Sequence, residues 1–179
     1  TSGLSINALA QALPAALRER FCGVHFFNPP RYMTLVELIP AANTAPAVLD
    51  GLETFLTTAL GKGVIRAKDT PNFIANRVGV FSILAAFHHT RALGLGFDVV
   101  DALTGPLIGR PKSATYRTAD VVGLDTLAHV INTMKETLPG DPWHRYFDAP
   151  DCYKGLLQQG ALGQKSNNTG VYRKVGKDI

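Results

Sequence analysis

The chain has 179 residues, 46% of them hydrophobic and 18% charged, with a formal net charge of +4 and a sequence pI near 9.2. That length suits one medium domain or two small ones with a proper core, and the balance is that of a globular protein rather than a disordered or fibrous one. No apolar stretch reaches the ~18 residues of a membrane span, no signal peptide is recognisable, and Cys22 and Cys152 are too few and too isolated for a disulfide framework or a zinc site. A reducing, cytoplasmic setting is therefore expected. The cations are dispersed, among them Arg66, Lys68, Arg110, Lys112, Arg117, Lys165, Arg173, Lys174 and Lys177, with no long basic run or interleaved aromatics. This argues against nucleic acid and is compatible with a small phosphate-bearing ligand.

Ser5 or Asn7 can cap a first helix running to about Leu17, with Pro14 straining its middle. Residues 23–27 and 33–39 each read as a short strand, and Asn28-Pro29-Pro30 can continue neither. Thr44 and Pro46 start a helix whose apolar residues Val48, Leu52, Phe55, Leu56 and Leu60 fall near helical spacing, and Gly61 stops it. Residues 63–70 read as another strand. From Asp69 the texture changes. A helix with Pro71 near its start runs to Gly94, apolar nearly all round and so expected to be central and buried. Further helices fit "DVVDALTG", "LDTLAHVINTMKETL" and "PDCYKGLLQQG", and no later segment reads as a strand. The fold class is therefore α/β followed by all-α, with the domains divided as 1–68 and 69–179.

No G-x-G-x-x-G occurs anywhere: Gly61/Gly63 and Gly94/Gly96 lack the third glycine and the preceding strand. Some 68 residues make a small nucleotide-binding sheet, with an edge and a face uncovered. The first part is thus expected to be the C-terminal remnant of a Rossmann-like sheet whose front end is missing from the chain.

One arrangement bears on chemistry. His25 lies in one strand and Glu37 in the next, joined by the tight Asn-Pro-Pro corner. The two either form an acid/base pair or are a buried histidine satisfied by a backbone carbonyl and a surface glutamate. The residues alone leave both open.

Together "GVHFFNPP", "LVELIP", "ALGKGVIRAKDTPNFIANRV", "GRPKSATYRTADVVGLDTLAHV" and "LGQKS" resemble the L-3-hydroxyacyl-CoA dehydrogenase family, in the family's order and over nearly the whole chain. The segment "GRPKSATYRTADVVGLD" is closer to the long bacterial forms, in which the dehydrogenase is joined to further domains. The resemblance implies NAD-dependent oxidation of an (S)-3-hydroxyacyl-CoA to the 3-ketoacyl-CoA in fatty-acid β-oxidation, by a helical domain following a Rossmann domain. It makes His25 the catalytic base and Glu37 its partner. Ser2 and Asn76 match residues that hydrogen-bond the reacting oxygen, Ser2 also approaching the cofactor. Asn28 and Lys165 match positions that contact the nicotinamide nucleotide, although "KSNNTGVY" is one residue longer than the family's K-T-G-x-G-F-Y. By the same comparison the chain lacks the first half of the Rossmann domain, so the isolated fragment is expected to be inactive, with an acyl-CoA substrate, NAD as cofactor, no nucleic acid, and a homodimer or further domains of a longer chain as partners.

The chemistry suits these residue types. Hydride leaves carbon only if the hydroxyl proton also departs, and imidazole is the side chain that titrates near neutral pH. A carboxylate behind it holds one tautomer and stabilises the imidazolium. The other histidines fare worse. His88 and His89 are adjacent on a helix and face different ways, His129 has Asp125 at i−4, and His144 sits beside Trp143 in a loop. Two alternatives compete with the dehydrogenase reading. One is a truncated, non-catalytic helical dimerisation or assembly module of the same family. The other is a 6-phosphogluconate-dehydrogenase-like relative, which would use a lysine and which "HFFNP…VE" argues against.

Overall fold

The computed structural model describes residues 3–164, 166 and 169–173. Two compact units divide the chain, Thr1–Arg77 and Val78–Ile179. Among the described residues no helix is long and apolar enough to cross a membrane.

The first unit alternates helix and strand: α1 (Ile6–Gln11), α2 (Ala15–Arg18), β1 (Cys22–Phe26), β2 (Leu35–Pro40), α3 (Pro46–Thr58) and β3 (Gly63–Arg66). The sheet order is β1-β2-β3, with β1 antiparallel and β3 parallel to the central β2. The expected first helix breaks in two. Ser5 caps α1, accepting from the Ala8 amide at 3.2 Å, and Pro14 stands at the N-terminal boundary of the single turn α2. A proline has no N–H to give and clashes with the preceding turn, so it begins a helix more readily than it continues one.

β2 is buried on both faces, with Val36, Glu37, Leu38 and Ile39 all at 0% exposure. Alternation along the strand sends Val36 and Leu38 toward Leu56 of α3, while Ile39 packs with Ile6, Ala10, Ala67 and Phe73. Glu37 is thus a carboxylate on the face that carries Ile39. On that face a Cβ on Gly23 would lie 2.7 Å from Ile6 Cδ1, so glycine lets α1 approach β1 closely. The Asp69 carboxylate fastens α1 from the other end of the unit. It accepts from Ser5 Oγ at 2.9 Å, the Ile6 and Asn7 amides at 2.8 Å each, and Asn7 Nδ2 at 2.7 Å.

α4 (Ala75–Leu93) begins in the first unit and continues into the second. The second unit adds α5 (Phe97–Thr104), α6 (Tyr116–Val122), α7 (Leu124–Thr137), α8 (Asp151–Gln158) and two short 3₁₀ turns. Its core gathers Leu84, Phe87, Tyr116, Leu127, Ile131, Met134, Phe147 and Tyr153. The burial of α4 differs from the expectation of an all-round buried helix. Only Val80, Leu84, Phe87 and Thr90 are buried, one stripe at helical spacing, while Val78 and Leu93 are 62% and 68% exposed. Asp101 caps α6 by accepting from the Thr115, Tyr116 and Arg117 amides, and it also accepts from Tyr172 Oη. Asp120 takes the Val171 and Tyr172 amides at 2.8 and 2.9 Å, which ties residues 169–173 to the helices. The architecture is a small α/β sheet followed by a helical unit, as the sequence predicts, with two isolated β-bridges, Gly163–Thr169 and Thr169–Arg173, in its last described residues.

Candidate active site

The antiparallel register sets His25 directly opposite Glu37. Residues opposite one another across two strands share a face, so both side chains point the same way. His25 Nδ1 lies 2.7 Å from Glu37 Oε2, with His25 6% exposed and Glu37 fully buried. A buried carboxylate is tolerated only when its oxygens are met by donors. Glu37 Oε1 accepts the backbone amides of Ile74 at 2.9 Å and Ala75 at 2.8 Å. Both belong to the start of α4, where unpaired N–H groups and the positive end of the helix dipole favour an anion.

The imidazole turns its Nδ1 edge to the carboxylate, and Nε2 is the ring nitrogen on the side away from Glu37.

Aromatic rings flank the imidazole. Phe27 and Phe73 have centroids 4.5 and 5.5 Å from that of His25. Phe73 reaches this position from a turn in which Asn72 and Phe73 have φ of +61° and +52°. Consecutive non-glycine residues in the left-handed region are strained, and such strain gathers at sites where the surrounding structure demands it. Here the turn aims one ring at His25 and, in the next two residues, two amides at Glu37.

Of the residues singled out in the sequence, His25 and Glu37 are brought into contact. Asn76 follows Ala75 in the first turn of α4, half-buried, so β1, β2 and α4 each supply a candidate. Asn28 is exposed at the corner three residues past His25. Ser2 and Lys165 lie outside the described residues. Of the other histidines, His88 packs edge-on against Tyr146 at 5.1 Å, His129 is exposed, and His144 Nδ1 pairs with the Leu138 carbonyl at 3.0 Å. Cys22, beside the strand face, has its thiol pushed above its ordinary value by burial. Sequence reasoning missed Phe73, the paired amides and Asn72. The amides leave no side-chain signature, and only the asparagine before Phe73 hints at a left-handed turn.

The family described as 3-hydroxyacyl-CoA dehydrogenase, C-terminal domain, matches residues 73–174, and its NAD binding domain matches residues 1–70. The chain belongs to the 3-hydroxyacyl-CoA dehydrogenase family. Within it, a probable 3-hydroxyacyl-CoA dehydrogenase of Bacillus subtilis is 45% identical over 179 residues, 100% of this chain and 22% of the relative. One from Deinococcus radiodurans is 41% identical over 175 residues, 98% of this chain and 49% of the relative. The crystal structure of (S)-3-hydroxybutyryl-CoA dehydrogenase PaaH1 from Ralstonia eutropha superposes with a TM-score of 0.84 at 31% identity, covering 98% of this chain and 59% of that one. The chain thus spans half or less of the curated relatives it matches.

Proposed function

We propose that this chain supplies the acid/base half of an NAD-dependent 3-hydroxyacyl-CoA dehydrogenase, oxidising an (S)-3-hydroxyacyl-CoA to the 3-ketoacyl-CoA in fatty-acid β-oxidation. The observation that carries the reading is the buried His25–Glu37 pair at 2.7 Å, with the carboxylate's second oxygen held by two helix-start amides. His25 Nε2 takes the substrate's 3-hydroxyl proton. Glu37 stabilises the imidazolium so formed, in a pocket where Phe27 and Phe73 exclude water from the ring. Asn76, and Ser2 with it, donates to the reacting oxygen as it becomes a ketone and fixes its place. By the family resemblance, Asn28 and Lys165 are the residues that contact the nicotinamide nucleotide.

NAD, when bound, supplies the acceptor for the hydride leaving carbon 3. The donor set of this chain suits its nicotinamide end only: the buried His25–Glu37 pair stands with Asn76 at the start of α4, whereas no G-x-G-x-x-G is present to cradle a pyrophosphate.

His25→Gln in the intact enzyme containing this chain tests the assignment. Turnover should fall by about 10² to 10⁴-fold, with the dissociation constant for (S)-3-hydroxybutyryl-CoA within a few fold of the natural value. A change confined to affinity would remove His25 from the base role.

A further inference from the structure

Between His25 and Glu37 the chain makes a corner that its own side chains do not anchor. Residues 28–34 are all exposed, so none of them is held by burial in a core. Backbone bonds close the turn on itself, the Pro29 carbonyl taking the Tyr32 and Met33 amides at 3.0 Å each, and the two prolines have no amide to give. At the far end the Gly63 amide donates to the Thr34 carbonyl at 2.9 Å, where β2 and β3 begin to pair. Within the corner the tie is a side chain from elsewhere in the unit. Lys62 Nζ donates to the Pro30 carbonyl at 2.5 Å and to the Met33 carbonyl at 2.7 Å.

Lysine suits this task. An ammonium carries three N–H groups on one atom, enough for two carbonyls at once, and a charged donor bonds more strongly than a neutral one. The root of the side chain is itself fixed, because the Lys62 amide donates at 2.9 Å to the carbonyl of Leu56, a buried residue of α3. Lys62 therefore runs from the α3–β3 junction to the corner and braces it. The near end of that corner carries the groups that bear on the site: Phe27, its ring 4.5 Å from that of His25, and Asn28 next to it, exposed. An ammonium engaged by two backbone carbonyls is placed to hold a segment rather than to meet a ligand itself. Building on the dehydrogenase reading and on the family match of Asn28, we propose that Lys62 is a positioning residue for the cofactor, holding the corner so that Asn28 meets the nicotinamide nucleotide.

The test uses steady-state kinetics of the intact enzyme containing this chain, with KM for NAD and for (S)-3-hydroxybutyryl-CoA measured separately. Lys62→Met keeps the stem and deletes the donors, and Lys62→Arg restores a cation with donors. Lys62→Met should raise KM for NAD about tenfold, the scale of one lost hydrogen bond, with KM for the acyl-CoA and kcat within about twofold. Lys62→Arg should recover most of that loss. Asn28→Ala should raise the same constant, and adding Lys62→Met to it should raise it no further, because Lys62 acts through Asn28. Arg66→Met, which breaks the exposed pairs with Asp50 and Glu53 beside the same junction, should leave KM for NAD unchanged. The proposal is overturned if Lys62→Met leaves KM for NAD unchanged or raises both KM values alike, if Lys62→Arg is no better than Lys62→Met, or if Arg66→Met has the same effect. It is overturned equally if Asn28→Ala is silent or if its loss multiplies with that of Lys62→Met. Those outcomes leave the dehydrogenase reading intact so long as the unaltered enzyme turns over and His25→Gln does not.

Discussion

Glu37 and Ala75 meet where the central strand passes under the start of the long helix, the Ala75 amide donating to Glu37 Oε1 at 2.8 Å. The same carboxylate's other oxygen holds His25. One buried charge thus couples a strand pair to a helix start, and removing it breaks the contact with His25 and both amide hydrogen bonds together. Glu37→Ala should lower the unfolding free energy of the chain by about 3 kcal/mol, the low end for breaking a buried charged pair. Denaturant melts of the two proteins, compared at equal m-value, check this. A loss below about 0.5 kcal/mol, the scale of an exposed ion pair, would mean that the network does not hold the unit.

Asp69 gives the first unit a stability term with a definite pH window. Burial acts to raise its carboxyl, but the hydrogen bonds from Asn7, Ile6 and Ser5 outweigh this and leave it below the ordinary carboxylate value. A group depressed in the folded state contributes fully above its unfolded value near 3.9 and loses that contribution as pH falls through the folded one. Thermal melts between pH 7 and pH 2 should therefore show a decline at the acid end that Asp69→Asn flattens. That variant should also cost about 1 kcal/mol at neutral pH, the usual worth of a helix cap.

Asp120 carries the opposite sign. Burial pushes its carboxyl up, the Tyr172 and Val171 amides pull it partly back, and Asp101 nearby raises it again. A carboxyl raised on folding costs stability progressively as pH climbs from the unfolded to the folded value. Carboxyl-carbon NMR titration should place Asp120 above, and Asp69 below, the ordinary aspartate midpoint. Asp120→Ala should also speed hydrogen exchange at the Val171 and Tyr172 amides, with little change at Tyr116, whose amide belongs to Asp101.

The elements legible in the sequence are those whose physics is periodic. β1 and β2 stand out as short β-type runs around a Pro-Pro corner, α3 by its proline start and glycine stop, α7 by helical spacing. The pairing of His25 with Glu37 follows from two strands and a tight turn, although only coordinates choose contact over separation. The start of α4 was hidden. Pro71 reads as a helix start, yet the helix begins at Ala75 because Asn72 and Phe73 take positive φ, which no rule of composition assigns to a phenylalanine. The amides that hold Glu37 are backbone, identical in any sequence. We propose that residues 69–77 act with the sheet, since Asp69 fastens α1 and Ile74 and Ala75 fasten Glu37.

The chain has no glycine-rich phosphate loop, and the pyrophosphate contributes a large share of dinucleotide affinity through helix-start amides. Calorimetric titration of NAD into this chain should give no saturable binding at micromolar concentration. Micromolar affinity would mean that its residues hold the dinucleotide by a route other than the one proposed.

A double-mutant cycle on His25 and Glu37, read as kcat in the intact enzyme containing this chain, is the measurement that bears most directly on the site. If the carboxylate works only through the imidazole, His25→Gln with Glu37→Gln should be no slower than His25→Gln alone, because the second change removes support from a base already gone. If the two losses multiply instead, Glu37 acts independently of His25, and the pair at 2.7 Å is not the unit that moves the proton.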